Sequence, residues 1–193
     1  MTPAKGYSLV GRLSDRKPSC SVPAKTHINY RGLRSHMAQE RSETIGERIR
    51  ERGVVNRTWS SSILGGLVGG IVFGLLLQSM GVLPTVAALY GLDGTTMGWV
   101  AHLFNSVVFG LVFGAVMTMT RLRAYADRPG PTAGIGVAYG IVLWVVAASF
   151  VMPFWLGAVG MTLAVPTFDV VSLVGHVVYG VLLGAVFAIA YRR

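Results

Sequence analysis

Four stretches of the chain, about residues 60–80, 98–120, 134–155 and 170–191, contain no Asp, Glu, Lys or Arg and are dominated by Val, Leu, Ile, Ala, Gly and Phe. A helix rises about 1.5 Å per residue, so roughly 20 apolar residues cross the hydrocarbon layer of a bilayer. Backbone groups in lipid must be satisfied inside the spanning structure. A barrel strand would alternate apolar and polar positions over about ten residues. These runs do not alternate, so the pattern predicts an all-α, polytopic membrane protein with four transmembrane helices over residues 58–193.

The polar positions are concentrated elsewhere. Residues 1–57 hold 12 Lys or Arg and 5 Asp or Glu, whereas residues 58–193 carry only Arg121, Arg123, Arg128, Arg192, Arg193, Asp93, Asp127 and Asp169. Residues 1–43 have no apolar period, and Pro3, Pro18 and Pro23 punctuate them. That composition is expected of a disordered basic tail. Met37 opens a second plausible start, which would leave 157 residues with neither lysine nor cysteine and make residues 1–36 non-native. Thr44-Ile45-Gly46-Glu47 has capping-box spacing, and Ile45 and Ile49 stand four apart in a Glu/Arg-rich run. Residues 44–57 are therefore expected to form a separate amphipathic helix on the membrane surface.

Charge placement predicts orientation. Arg48, Arg50, Arg52 and Arg57 precede the first span, Arg121, Arg123 and Arg128 lie between the second and third, and Arg192-Arg193 follow the fourth. The other two connections carry only Asp93 and Asp169. By the positive-inside rule both termini are cytoplasmic and the protein sits in the cell membrane. Trp59 and Tyr191 then fall at inner span ends, and Trp99 and Trp155 at outer ends. The net charge of +9 is accounted for by the tail and this rule, so nucleic acid is not expected as a partner. The first 57 residues hold no apolar signal-peptide core, and targeting is expected from the first span. Cys20 is the single cysteine, too few for an intramolecular disulfide or a cysteine metal site.

The spans resemble one another in pairs. His102, Asn105, Ser106, Gly110 and Gly114 align with His176, Tyr179, Gly180, Gly184 and Ala188, and Gly66-x-x-x-Gly70-Ile71-Val72 aligns with Gly136-x-x-x-Gly140-Ile141-Val142. The chain thus reads as two helical hairpins in a parallel repeat, with the symmetry axis expected along the membrane normal. Small residues at four-residue spacing let helix backbones approach closely in lipid. Gly66, Gly70, Gly74, Ser106, Gly110, Gly114, Gly136, Gly140, Gly180 and Gly184 are accordingly assigned to helix packing, within one bundle or a homo-oligomer.

Candidate chemistry rests on uncharged polar residues inside the spans. His102 and His176 lie one to two turns from the outer span ends, with Asn105 and Tyr179 three residues on, and Gln78 is the remaining polar candidate. Ionisable residues at membrane depth point to function. Three readings are open: interhelical hydrogen bonding, ligation of a haem or of a transition metal such as copper or zinc, or the lining of a cavity for a small ligand or ion. There is no phosphate-binding loop, no His-Glu-x-x-His and no Gly-x-Ser-x-Gly, and no span contains a carboxylate. No catalytic residue is assigned, and the protein is read as a non-enzyme.

The run Gly175-His176-Val177-Val178-Tyr179-Gly180-Val181-Leu182-Leu183-Gly184 resembles a His-x-x-Tyr-Gly-x-x-x-Gly stretch near the C-terminus of four-helix integral membrane proteins of archaea and bacteria. The resemblance covers about residues 58–193 and is weaker in the second span, where Asn105-Ser106 stands for Tyr-Gly. It implies a fold and a membrane location, and no established activity. Relatives of this kind sometimes carry the label histidine kinase, which this chain does not support, lacking any ATP-binding domain. The functional expectation is a small membrane module that binds a partner, another membrane subunit or a small ligand near the outward His pair. The alternatives are a haem- or metal-binding subunit for electron transfer or sensing, and a transporter-like protein acting as a dimer.

Overall fold

The computed structural model describes residues 30–193. Every regular element among them is helical: α1 (Tyr30–Ser79), α2 (Leu83–Ala88), α3 (Gly94–Met119), a 3₁₀ turn (Arg121–Tyr125), α4 (Pro129–Leu143), a π-helical segment (Trp144–Val151), α5 (Met152–Ala158) and α6 (Val170–Tyr191). Four helical stretches are long and apolar enough to cross a membrane: Arg34–Ser79, Gly94–Met119, Pro129–Ala158 and Val170–Tyr191. The chain is an all-α, multi-pass membrane protein.

The N-terminal expectation needs correction. Residues 30–43, assigned to the tail, are helical, and residues 44–57 are part of α1 rather than a separate helix. Helix-favouring Arg, Glu, Gln, Met and Ala fill this stretch and no proline interrupts it. Gln39 and Glu43, one turn apart, share a side-chain hydrogen bond. The Thr44–Glu47 capping box does not start a helix because α1 is already under way there. Ile45 and Ile49 are exposed. The calls on residues 1–29, including Cys20 and the alternative start before Met37, lie largely outside the described residues.

Within residues 44–193 the distribution of polarity is that of a membrane bundle. Leu64, Ile71, Leu75, Val108, Val112, Val116, Val142, Val146, Val174 and Val178 are exposed, whereas Ser61, Ser62, His102, Ser106, Thr132 and Ser149 are buried. In water this arrangement would be costly; in lipid the apolar exterior costs nothing, and the interior polar groups other than the Ser61 hydroxyl find partners. Ser62 donates to the Thr58 carbonyl at 2.7 Å and Ser106 to the His102 carbonyl at 2.8 Å.

The first hairpin turns at Gly81, whose φ of +68° only glycine adopts without strain. Its amide and that of Val82 bond back to Gln78 and Leu77, closing α1. α1 and α3 then pack through small residues. A methyl group on Gly66 would stand 2.6 Å from the Ser106 carbonyl oxygen, and one on Gly110 2.5 Å from that of Ser62. In the second hairpin a methyl on Gly136 would strike the Gly180 carbonyl, one on Gly140 the His176 carbonyl, and one on Gly184 the Thr132 carbonyl. The hairpins meet where Gly65 lies against Leu183 and Gly69 against Tyr179, and where Phe113 and Phe187 pack edge-on at 5.6 Å.

Candidate functional site

The bundle has an arginine-bearing end, where the 3₁₀ turn and the C-terminus lie, and a far end closed by α2, α5 and the 159–169 loop. Several structural features meet at the far end. Gly98 sits against the Leu83 backbone and docks α2 onto α3. Tyr90 donates to Asn105 Oδ1 at 2.5 Å, Trp155 Nε1 to the Leu89 carbonyl at 2.9 Å, and Trp144 Nε1 to the Asp169 carbonyl at 3.0 Å. Asp169 caps α6 by accepting the Ser172 amide at 2.6 Å. Each of these aromatic ties joins segments distant in sequence.

The third spanning helix widens to π geometry over Trp144–Val151, just before Pro153. Proline has no N–H to offer the carbonyl four residues earlier, and its ring crowds that carbonyl. The carbonyl concerned is that of Ser149, and it accepts the Thr167 amide from the 159–169 loop at 2.9 Å. The Ser149 hydroxyl bonds to the Trp144 carbonyl five residues back, at 2.9 Å. Interruptions of this kind often mark functional sites in membrane helices.

Under these ties lies a cavity of about 680 Å³, reached by Phe73 and Leu77 of α1, His102 and Asn105 of α3, Ala147 and Ala148 of the π segment, Leu156 of α5, and His176 and Tyr179 of α6. Its lining is mainly apolar, with a few convergent polar groups, the usual make-up of a small-molecule site. Four of the five polar residues expected from the sequence are therefore brought together. Gln78 is not among them. It is exposed on the last turn of α1, and its Oε1 accepts the Trp99 indole N–H at 2.6 Å.

The two histidines share a level in the bundle, since both rings pack edge-on against Phe73, His102 at 5.4 Å and His176 at 4.8 Å between centroids. Their hydrogen bonds differ. His102 Nε2 lies 2.9 Å from the Gly70 carbonyl oxygen, across the α1–α3 seam. His176 Nδ1 lies 2.8 Å from the Ser172 carbonyl oxygen of its own helix. A carbonyl can only accept, so each contact fixes a tautomer, with the proton on Nε2 of His102 and on Nδ1 of His176. His102 Nδ1 and His176 Nε2 are left as bare acceptors with no hydrogen-bond partner among the described residues. Tyr179 is buried, and its hydroxyl donates to the Ser106 carbonyl at 2.6 Å, tying α6 to α3.

Among the described residues no three His, Cys, Asp or Glu side chains gather into a metal-holding group. The two imidazole nitrogens without a hydrogen-bond partner are the atoms that would be left to bind a metal or haem iron. The residues that the sequence reading missed are Phe73, which contacts both histidines, Tyr90 and Trp155, which tie the cover, and the π segment. Pro153 was the available signal for the last of these.

No protein-family profile, curated protein or solved structure matches the chain.

Proposed function

We propose that this protein is a non-enzymatic membrane module that holds one small, largely apolar ligand in the cavity at the far end of the bundle. The observation that carries this reading is the convergence of His102, Asn105, His176 and Tyr179 on a cavity of about 680 Å³. Drug-sized ligands occupy pockets of roughly 300–1,000 Å³. The rim residues Met80, Val151, Trp155 and Val171 are exposed and apolar, which suits a ligand that arrives dissolved in the membrane. The positive-inside rule supports placing the arginine-bearing end in the cytoplasm and the cavity on the outward side of the cell membrane. Membership in the four-helix group that the Gly175–Gly184 run resembles belongs to the same proposal.

The same reading takes the two hairpins as a duplicated unit. What supports it is that residue pairs matched in the alignment also occupy matched contacts: Gly66 on Ser106 and Gly136 on Gly180, Gly110 on Ser62 and Gly184 on Thr132. A site lying between two repeats, with one histidine from each, follows the logic of repeat-built transporters.

The test is native mass spectrometry of the protein extracted from its host membrane in mild detergent. A one-to-one small-molecule adduct is expected on the wild type and is expected to vanish in Ala148→Trp, which fills the cavity. An identical adduct on both proteins, or none on either, would overturn the reading.

A further inference from the structure

We infer that the cavity selects ligands carrying a hydrogen-bond donor, an alcohol or phenol on an apolar body, and that His176 Nε2 is the acceptor that reads it. The inference rests on the ligand-binding reading above and gives that ligand a chemical class.

The N–H of His102 is engaged by the Gly70 carbonyl and that of His176 by the Ser172 carbonyl. The Tyr179 hydroxyl is engaged by the Ser106 carbonyl, the Ser106 hydroxyl by the His102 carbonyl, and the Tyr90 hydroxyl by Asn105. The ring N–H groups and the Tyr179, Ser106 and Tyr90 hydroxyls are thus committed inside the protein, which leaves the Asn105 amide N–H groups and the Ser172 and Thr85 hydroxyls as the donors elsewhere on the lining. His102 Nδ1 and His176 Nε2 each keep a lone pair with no hydrogen-bond partner among the described residues. Asp169 at the rim adds a carboxylate, again an acceptor. A ligand hydroxyl completes such a site. At His176 Nε2 a ligand carbonyl or ether oxygen would meet lone pair against lone pair and leave that acceptor unsatisfied, and polar sites reject ligands chiefly through such a loss.

The two histidines are not equivalent in this respect. His102 is 7% exposed, and its ring bridges two helices, so it is held by the seam. His176 is less buried, and its bond runs to the preceding turn of its own helix. Replacing it breaks no interhelical hydrogen bond. Carbonyl-anchored imidazoles with a bare second nitrogen are also how proteins orient histidines toward ligands they must grip.

The experiment uses the full chain in phosphatidylcholine nanodiscs, titrated calorimetrically against an empty-disc blank. The probes are 4-octylphenol and its methyl ether 4-octylanisole, with dodecan-1-ol and its methyl ether as an aliphatic pair. Each pair has the same body and differs in one donor. The expected result is that at least one donor binds about tenfold more tightly than its own ether, a gap appropriate to one buried hydrogen bond. Which pair shows the gap distinguishes an aromatic from an aliphatic ligand. His176→Leu is expected to erase the gap, donor and ether then binding alike. Equal binding of donor and ether by the wild type would overturn the selectivity and leave the cavity reading standing. A gap that survives in His176→Leu would overturn the assignment to His176. No binding by any of the four probes would overturn both readings.

Discussion

In the first hairpin, α1 and α3 face each other through glycine set against serine: Gly66 and Gly70 against Ser106, and Gly110 and Gly114 against Ser62. In the second, α4 and α6 meet through glycine on both sides, with Gly136 and Gly140 against Gly180. The register is the same and the chemistry is not. A serine keeps the helices slightly apart and brings a hydroxyl that bonds within its own helix, as Ser62 and Ser106 do. Glycine on both faces lets backbone lie on backbone, where each added atom has nowhere to go. The histidines diverge with the seams. His102 reaches over to the Gly70 carbonyl, whereas the Gly140 position lies against the His176 backbone itself and the His176 ring turns along its own helix. One hairpin has used its histidine to hold the fold, and the other has left its histidine available.

The sharpest way to break this comparison is to overpack the second seam. Gly180→Leu is expected to cost about 3 kcal/mol or more, the upper range for forcing a side chain into a filled interior. It should abolish the monodisperse peak in size-exclusion chromatography. Gly66→Ala should cost less, about 1–2 kcal/mol, because the methyl meets the Ser106 carbonyl at 2.6 Å rather than a glycine backbone in direct apposition. Gly134→Ala is the control: nothing lies within 4 Å of its added methyl, and stability should change by less than about 1 kcal/mol. Equal losses at Gly180 and Gly134 would dissolve the distinction between seam and surface.

A smaller effect separates the histidines. His102→Ala removes an interhelical bond and opens space, and is expected to cost about 1–2 kcal/mol. His176→Ala is expected to cost less than His102→Ala in the same reversible unfolding assay in micelles. Reversal of that order would mean that His176, not His102, is the structural partner.

The smallest effect concerns the interrupted third span. Pro153→Ala restores an N–H that competes for the Ser149 carbonyl, so the Thr167 amide should lose protection. Hydrogen exchange over residues 165–168 is expected to quicken several-fold with the bundle otherwise intact. Unchanged exchange there would detach the loop from the proline.

Much of this was readable in the chain because lipid imposes few solutions. Uncharged runs of adequate length had to be helices, and the arginines marked which connections share a side. The two His-x-x-polar stretches named four residues that do line one cavity. Gln78 was misplaced for an equally physical reason. Its position at the end of the first span said that it was polar and near the far end, but only the fold shows that Trp99 holds it on the outside. The long α1 was missed because the tail composition was read as a whole, whereas residues 30–57 taken alone are good helix formers.

What the sequence determined by itself is the number of spans and their helical character, because each follows from length and hydropathy within one segment. What only the tertiary structure decided is the cavity, the tie of Trp155 to Leu89, the exchange of the Ser149 carbonyl to Thr167, and the unequal roles of His102 and His176. Those depend on which carbonyl happens to lie within about 3 Å of which donor, and that is settled by how closely two glycine faces can approach.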